Sequence, residues 1–124
     1  MKSPIVALLS VATAMILTIV MAPSAGAGTY TLLKESRKSG VTARLWLNSQ
    51  TRAIHAQGLG LRAGEIVRID VYAGITRDTK VAQRDGVSLS TRSFKIYPES
   101  YSACAGSPAG GTRFICTPYH RHNG

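Results

Sequence analysis

Few side chains in this chain could do chemistry, and the best set is the one that ribonuclease chemistry would need. Such chemistry takes a base, an acid and a cation near the phosphate, usually Glu and His with Arg or Lys. His55 and Glu65 are the catalytic candidates, and nothing in their spacing forces them together. A solvated strand face with ordinary charged residues is the favoured interpretation, so no catalytic residue is assigned. The full set comprises His55, Glu65, Arg68, Arg92 and His120.

Metal and nucleophile chemistry has even less support. His120 and His122 are the candidate metal ligands, because imidazole is a common ligand, but a structural zinc site needs four ligands. The chain also lacks the G-x-S-x-G motif of serine hydrolases and a glycine-rich phosphate loop. We therefore expect no metal, no cofactor and a non-catalytic role.

The elements that must position these side chains are β-strands. Apolar and polar residues alternate over residues 41–48, and a period of two is typical of a strand with one buried face. A second strand is predicted over residues 52–59 and a third over residues 66–72, with the glycine-rich residues 58–65 turning the chain between them. The residues predicted to face the core are Val41, Ala43, Leu45, Leu47, Ile54, Ala56, Val67, Ile69 and Val71.

Shorter elements complete an all-β prediction. Turn-prone residues recur at intervals of about 8–12 positions, which favours about seven short strands in a small antiparallel β-sandwich or barrel. Before the three central strands, we predict an opening strand over residues 28–35 and a polar connection over 36–40. After them, we predict exposed loops over 73–74 and 76–79, a short strand over 80–83, a turn at 84–86 and a strand over 87–97 with Phe94 and Ile96 inward. The chain should end with a strand pair over 100–104 and 112–117 and a frayed tail over 118–124.

The start of the chain has the pattern of a secretory signal peptide. A basic start is followed by an apolar run over residues 5–22 and by the small residues Ala25, Gly26 and Ala27, which predict cleavage after Ala27. An uncleaved membrane anchor is the alternative, because the apolar run nears the roughly 20 residues that span a bilayer. With cleavage, residues 28–124 form a single secreted, extracellular domain without a membrane span, and we expect a monomer.

The charge of the exported part indicates what kind of partner it could have. Removal of 27 residues from 124 leaves 97, and loss of Lys2 leaves 14 basic residues against 6 acidic ones, a net charge of +8. Such a charge bears on partners and solubility rather than on fold. An anionic polymer or an extracellular protein is a candidate partner, and there is no specific nucleic-acid motif. A basic secreted domain without any such partner is an equally good interpretation.

The two cysteines, Cys104 and Cys116, both lie in the exported part. An even number of cysteines in an exported chain favours a disulfide over a catalytic thiol or a metal site. Closing a loop of this size contributes on the order of 3 kcal/mol by restricting the unfolded chain.

Arg44, Trp46 and Arg68 are the candidate binding residues, since all three lie on the predicted outward sides of strands. An arginine beside an exposed aromatic ring can stack on a base or a sugar. Tryptophan is, however, usually mostly buried. We therefore favour a core position for Trp46 over a binding platform.

The turns carry a resemblance to a known group of domains. The run from Gly58 to Val67 (GLGLRAGEIV) and the run from Ala82 to Ser90 (AQRDGVSLS) follow the arrangement G-x-G-L-x-A-G and A-x-x-D-G-x-x-x-S. This arrangement resembles immunoglobulin-like sandwich domains secreted by actinobacteria, of the type of the enediyne apoproteins such as neocarzinostatin. The resemblance covers residues 52–96 and implies an immunoglobulin-like fold and secretion. Those apoproteins are acidic and carry two disulfides, so no binding residue is transferred to this basic chain.

Three functions follow as hypotheses. The first is non-catalytic recognition of an extracellular or cell-envelope partner by loops and a basic face. The second is inhibition of an extracellular hydrolase, for which the rigid loop between Cys104 and Cys116 would be suited, because preorganisation lowers the entropic cost of binding. The third, less favoured, is a small secreted ribonuclease that uses His55 and Glu65.

Overall fold

The computed structural model describes residues 29–109 and 111–124, and these contain nine β-strands in two antiparallel sheets. The predicted signal peptide, residues 1–27, lies outside the described residues, and Thr31–Gly124 form one compact unit. Among the described residues, no helix is long and apolar enough to cross a bilayer. The strands are β1 (Tyr30–Lys38), β2 (Val41–Asn48), β3 (Ile54–Leu61), β4 (Ile66–Val71), β5 (Ile75–Val81), β6 (Val87–Ser90), β7 (Glu99–Gly106), β8 (Phe114–Cys116) and β9 (His120–His122).

The sheets pack as two layers. The first sheet has the strand order β1-β2-β3-β6, and the second has the order β5-β4-β7-β8, with β9 also paired to β7. Strands β2 and β3 of the first sheet contact β7 of the second. A disulfide joins Cys104 of β7 to Cys116 of β8. The predicted all-β, two-sheet fold with one disulfide is therefore confirmed, with nine strands in place of about seven.

The core forms where the alternation predicted it. The nine inward residues predicted for the three strands over residues 41–72 are all buried, and none has more than 9% of its surface exposed. Burying one large aliphatic side chain is worth about 1.5–3 kcal/mol, so the pattern that predicts the strands also supplies the main stabilising term. Further core residues are Leu61, Ala82, Tyr101, Ala103 and Ala105.

The side chain of Tyr101 connects the loop between β6 and β7 to this core by hydrogen bonds. The side chain is fully buried near the start of β7. Its hydroxyl accepts from the Ile96 backbone N–H at 3.3 Å and donates to the Ile96 carbonyl at 3.2 Å. Burial raises the pKa of Tyr101, which keeps the phenol protonated and able to donate.

The glycine-rich segment between the second and third predicted strands is mostly strand. β3 continues to Leu61, and the turn is confined to residues 62–65, so the prediction that residues 58–65 all turn the chain is wrong. A β-carbon on Gly58 would lie 3.1 Å from that of Val67 and 3.2 Å from that of Ala105. The glycine at this position thus lets the two sheets approach closely.

The polar segments that were predicted as connections are strands as well. β1 extends to Lys38, and only Ser39 and Gly40 turn the chain, with φ angles of 51° and 85° that suit a two-residue hairpin turn. β5 includes residues 76–79, which were predicted as an exposed loop, whereas residues 73–74 turn the chain as predicted. It lies at the edge of its sheet, where a strand needs little apolar surface and often carries charged residues.

The predicted strand over residues 87–97 is shorter than expected. β6 ends at Ser90, and Val87 and Leu89 rest against the core. Phe94 also packs on the core and forms a single bridge with Ile54. Ile96 is 44% exposed, so its inward assignment is wrong. The chain leaves the sheet before Ile96, and it is the Ile96 backbone that Tyr101 binds.

The predicted frayed tail is ordered by a strand. β9 pairs with the beginning of β7, with His122 opposite Glu99 and His120 opposite Tyr101. His122 is only 3% exposed. The prediction of a frayed tail over residues 118–124 is therefore wrong, because a three-residue polar strand gives too short a pattern to recognise.

The disulfide closes a tight pair of strands. Cys104 lies directly opposite Cys116, and Gly106 lies opposite Phe114. Gly106 has a φ of 122°, and a β-carbon there would come within 1.7 Å of the Arg113 carbonyl oxygen. The pairing of β7 with β8 thus leaves room at position 106 for glycine alone.

Replacing Gly106 by Ala should prevent the native pairing of β7 with β8. Gly74→Ala is the matched control, because Gly74 also has a positive φ, 89°, but no atom lies within 4 Å of a β-carbon placed there. We expect the control to cost about 1–3 kcal/mol from backbone strain alone. Gly106→Ala should cost far more or give no folded protein in urea denaturation. Similar losses of stability in both variants would contradict this account of the β7–β8 pairing.

Candidate binding surfaces

Glu65 is bound by an arginine. The Arg113 guanidinium donates to both carboxylate oxygens, with Nε 2.9 Å from Oε2 and Nη2 3.0 Å from Oε1, and the Arg62 backbone N–H donates to Oε1 at 2.8 Å. Arg113 also donates to the carbonyls of Ser39 and Gly60. The side chain of Arg113 therefore joins the β1–β2 turn, the end of β3 and the β3–β4 turn. The hydrogen bonds from Arg113 lower the pKa of Glu65 and keep its carboxylate ionised.

The structure does not bring the two catalytic candidates together. His55 lies in β3 of the first sheet, opposite Trp46 of β2. Burial lowers the pKa of His55. Glu65 lies in the β3–β4 turn, just before β4, where the guanidinium of Arg113 binds its carboxylate.

The other cations of the predicted nuclease set also have carboxylate partners. Arg68 pairs with Asp70, and Arg92 pairs with Asp78. Asp78 also accepts the Arg92 backbone N–H at 2.8 Å. Although burial alone would raise it, the pKa of Asp78 is lowered by this hydrogen bond and by the neighbouring cations.

Trp46 lies on the outer face of the first sheet. Its neighbours Leu45 and Leu47 are buried, whereas Trp46 is half-buried, so the favoured core position is wrong and the strand alternation is the better guide. The indole Nε1 donates to Gln57 Oε1 at 2.8 Å. The Arg44 guanidinium carbon lies 6.0 Å from the ring centroid. Arg44 in turn donates to a carboxylate oxygen of Glu35 at 2.7 Å.

Arg68 does not share this surface with Arg44 and Trp46. It lies in β4 of the second sheet, where its Nε is 3.1 Å from both carboxylate oxygens of Asp70. Its guanidinium carbon lies 5.1 Å above the ring of Phe114. Asp70 is only 4% exposed, and both Arg68 and Thr76 donate hydrogen bonds to its carboxylate. The three predicted binding residues thus form two separate sites, each internally paired.

The candidate metal ligands His120 and His122 lie in an ordered strand, where His122 contacts other residues of the protein. His122 Nε2 lies 2.7 Å from the Arg52 carbonyl oxygen. Since a carbonyl only accepts, this nitrogen carries a proton and cannot donate to a metal. The ring also packs edge-on against Tyr97, with centroids 4.5 Å apart. Burial lowers the pKa of His120. Within residues 29–109 and 111–124, no group of three or more His, Cys, Asp or Glu could hold a metal ion.

Half of the basic side chains lack a carboxylate partner. Of the 14 basic residues that follow Ala27, seven form ion pairs with Asp or Glu within 4.0 Å. The others form none with the described part of the chain and include both exposed lysines and exposed arginines. They are Lys34, Lys38, Arg52, Arg62, Arg84, Lys95 and Arg121.

Three of these cations meet at one end of the sandwich, and we call them the Arg52 cluster: Arg52, Lys95 and Arg121. Lys95 Nζ donates to the Thr51 carbonyl at 3.3 Å, and Arg52 Nη2 donates to a main-chain oxygen of Gly124 at 3.2 Å. Arg121 Nε donates to Asn123 Oδ1 at 3.2 Å. Sequence reasoning missed this cluster because residues 52, 95 and 121 share no spacing pattern and the tail was expected to fray.

Three further unpaired cations lie at the opposite end and form the control cluster: Lys38, Arg62 and Arg84. They flank turns at the far end of the β2–β3 hairpin, about 25 Å away at the usual rise of a strand. An exposed carboxylate lies among these turns, since Asp85 accepts the Ala63 backbone N–H at 2.9 Å.

Comparison with known proteins adds no relative. No protein-family model, no curated protein sequence and no solved structure matches the chain.

Replacing Glu65 by Gln should remove a stabilising term that depends on pH. The folded pKa of Glu65 is lowered, so its stabilisation is complete above the unfolded pKa of about 4.3 and is lost as the pH falls through the folded pKa. We expect Glu65→Gln to lower the melting temperature at pH 7 by several degrees, on the order of 4–8 °C. The difference from the unmodified protein should shrink in acid, where both side chains are neutral.

Glu35→Gln is the control for this measurement. Glu35 and its partner Arg44 each have 27% of the side chain exposed, against 10% and 15% for Glu65 and Arg113. Water screens an exposed pair, so Glu35→Gln should change the melting temperature much less. An equal effect of both substitutions, or a Glu65→Gln effect that is constant with pH, would show that Arg113 does not act through the Glu65 charge.

Leu45 and Trp46 are neighbours on β2 that face opposite sides, and their truncation should differ accordingly. Leu45→Ala empties a fully buried position and should cost about 2–5 kcal/mol in urea denaturation. Trp46→Ala removes a half-buried ring outside the core and should cost less than Leu45→Ala, even though more atoms are lost. A larger loss for Trp46→Ala would place the indole in the core.

Proposed function

We propose that the exported domain is a non-catalytic recognition module that binds an anionic extracellular or cell-envelope partner through its basic surface. One observation carries the proposal: seven basic side chains in the described part of the chain have no Asp or Glu partner. They account for most of the net charge of +8 that the residues after Ala27 carry. A surface charge of one sign attracts oppositely charged partners and raises their association rate.

The non-catalytic part of the proposal draws support from the placement of the polar side chains. His55 lies near the start of β3, whereas Glu65 lies in the β3–β4 turn beyond the other end of that strand, and the guanidinium of Arg113 binds the carboxylate of Glu65. A general base must lie within hydrogen-bond reach of the proton that it removes. Glu65 is better suited to holding three turns together than to such a transfer.

The strand order favours an immunoglobulin-like scaffold for this function. Strands β2, β3 and β6 face strands β4, β7 and β8, which is the order A-B-E against C-F-G of immunoglobulin-like sandwiches. Tyr101, near the start of the strand equivalent to F, binds the backbone of Ile96 upstream, as the tyrosine corner of those domains does. Both features support the relationship that the turn motifs imply, and such sandwiches present their loops at two ends.

Export rests on the sequence pattern at the start of the chain together with the disulfide. An apolar run with small residues before position 28 is typical of a signal peptide. A disulfide such as Cys104–Cys116 persists in oxidising compartments outside the cytosol. Together they favour an extracellular or envelope location for the anionic partner.

Residues 28–124 should bind polyanions with a steep salt dependence. Labelled heparin, inorganic polyphosphate and poly-glutamate can be titrated with the protein by fluorescence anisotropy, with poly-lysine as the control that should not bind. We expect the affinity for at least one polyanion to fall about 20–40-fold between about 50 and 200 mM salt if three anionic groups are contacted. Absence of binding to all three polyanions, or binding that ignores salt, would contradict the proposal.

A further inference from the structure

We infer that one end of the sandwich binds the surface of a membrane that contains anionic lipids. The binding surface consists of three exposed apolar segments, residues 72–75, 96–98 and 118–119, which we call the apolar tips. The inference rests on the proposed function, because it makes the anionic partner a lipid bilayer, and it adds the surface through which the protein binds.

The turn between β4 and β5 carries apolar side chains where a turn usually carries polar ones. Residues 72–75 are Tyr, Ala, Gly and Ile, and all four are exposed. Tyr72 is 70% exposed and Ile75 is 59% exposed. A β-carbon on Gly74 would meet no atom within 4 Å, so the middle of this turn points into open space. Surface turns are usually built from Gly, Pro, Asn, Asp and Ser, and contiguous apolar exposure marks an interaction surface.

Two neighbouring segments are also exposed and carry no charged side chain. Residues 96–98 are Ile, Tyr and Pro, and residues 118–119 are Pro and Tyr. The ring of Tyr119 packs edge-on against that of Tyr72, with centroids 5.5 Å apart. The Tyr72 backbone N–H donates to the Ser100 carbonyl at 3.0 Å, which places the first tip beside the start of β7, directly after the second tip. The three tips therefore form one surface at this end of the second sheet.

The aliphatic members of the tips favour a bilayer over a nucleic acid or a polysaccharide. Exposed tyrosines alone could stack on bases or sugars. Ile75 and Ile96 are exposed as well, and they offer such ligands neither a hydrogen bond nor an aromatic ring. A bilayer accommodates both kinds of side chain, because aliphatic groups enter the acyl boundary and the amphipathic ring of tyrosine lies at the headgroup level.

Two cations beside the tips complement anionic headgroups. Lys95 directly precedes the second tip, and Arg121 follows the third tip by two positions. Neither forms an ion pair with an Asp or Glu of the described residues. Glu99 accepts from Arg77 at 3.4 Å, so these two charges balance each other. Arg52 adds less, because its guanidinium contacts a main-chain oxygen of the last residue. Lysine and arginine are attracted to the negative surface potential of anionic lipids.

The opposite end of the sandwich lacks such an apolar surface. Among the described residues near that end, Val81 is the one large apolar side chain that is exposed, at 48%. Val81 is the last residue of β5, the strand that begins with Ile75. Both ends carry unpaired cations, so it is the exposed apolar side chains that distinguish the end with the tips.

Serine substitutions in residues 28–124 test the surface without changing the charge. Y72S/I75S removes the two large side chains of the first tip, and L32S/V81S removes two exposed apolar side chains outside the tips as the matched control. The probe is vesicles of about two parts phosphatidylcholine to one part phosphatidylglycerol, read by co-sedimentation beside pure phosphatidylcholine vesicles. We expect tighter binding to the anionic vesicles, weakened at least about tenfold in Y72S/I75S and by less than about twofold in L32S/V81S.

A second pair of variants tests which end faces the membrane. K95Q/R121Q removes the cations beside the tips, and K38Q/R84Q removes two cations of the control cluster. The control cluster lies about 25 Å away, beyond the screening length of about 10 Å at 0.1 M salt. We expect K95Q/R121Q to bind the anionic vesicles about tenfold more weakly, whereas K38Q/R84Q should stay within about threefold of the unmodified protein.

The other outcomes separate the inference from the proposed function. If the unmodified protein binds polyanions but not anionic vesicles, the inference is overturned and the proposed function stands, whereas failure to bind either overturns both. Equal weakening in Y72S/I75S and L32S/V81S, or in the two charge variants, overturns the apolar tips as the binding surface. If Y72S/I75S weakens binding to an oligo-deoxythymidine or to heparin as strongly as binding to vesicles, the tips bind a polymer and the bilayer is overturned.

Circular dichroism checks that each variant is folded. If Y72S/I75S is not, I75S against V81S carries the same test, because these two exposed residues begin and end the same strand. Vesicle binding weakened in I75S alone supports the inference, and equal binding by I75S and V81S overturns it.

Discussion

The burial of β7 on both faces is the constraint on which the rest of the sandwich depends. β7 pairs with β4 along one edge and with β8 and β9 along the other. On its inner face Tyr101, Ala103 and Ala105 belong to the core. On its outer face Ser102 donates to the Thr117 carbonyl at 2.7 Å, and Cys104 is bonded to Cys116. A strand enclosed in this way must carry small or fully satisfied side chains, since interiors are closely packed and unpaired buried groups are costly.

A strand could be predicted from the sequence when it has one buried face and one exposed face. β2 and β4 alternate clearly, and their inward residues are the core. β5 lies at a sheet edge and is exposed nearly throughout, and β9 has only three residues, so neither shows a period of two. The disulfide was predictable from chemistry, because only two cysteines are present in the chain. Tryptophan at position 46 shows that strand register outweighs the usual preference of a residue type.

The candidate sites were harder to predict because their parts lie far apart in the sequence. Arg113 binds Glu65 across 48 positions, and His122 binds Arg52 across 70. No local pattern encodes either contact, since each depends on how β7, β8 and β9 fold back on the earlier strands. The outward set of Arg44, Trp46 and Arg68 was grouped on strand direction alone. In the structure Arg44 and Trp46 lie in the first sheet and Arg68 lies in the second. The sequence does not show which strands share a sheet, because this depends on the order of the strands in space.

The two ends of the sandwich use arginine in opposite ways. At one end the Arg113 guanidinium donates to the Glu65 carboxylate and to two backbone carbonyls, so its charge is neutralised within the fold. At the other end Arg52 makes a single hydrogen bond through its guanidinium. Grouping like charges is unfavourable by itself, so the Arg52 cluster must be held by something else. His122 and Tyr97 donate hydrogen bonds to the Arg52 carbonyl, and β9 pairs with β7. These contacts hold the backbone of the cluster, and the side chains of Arg52, Lys95 and Arg121 lie at the surface.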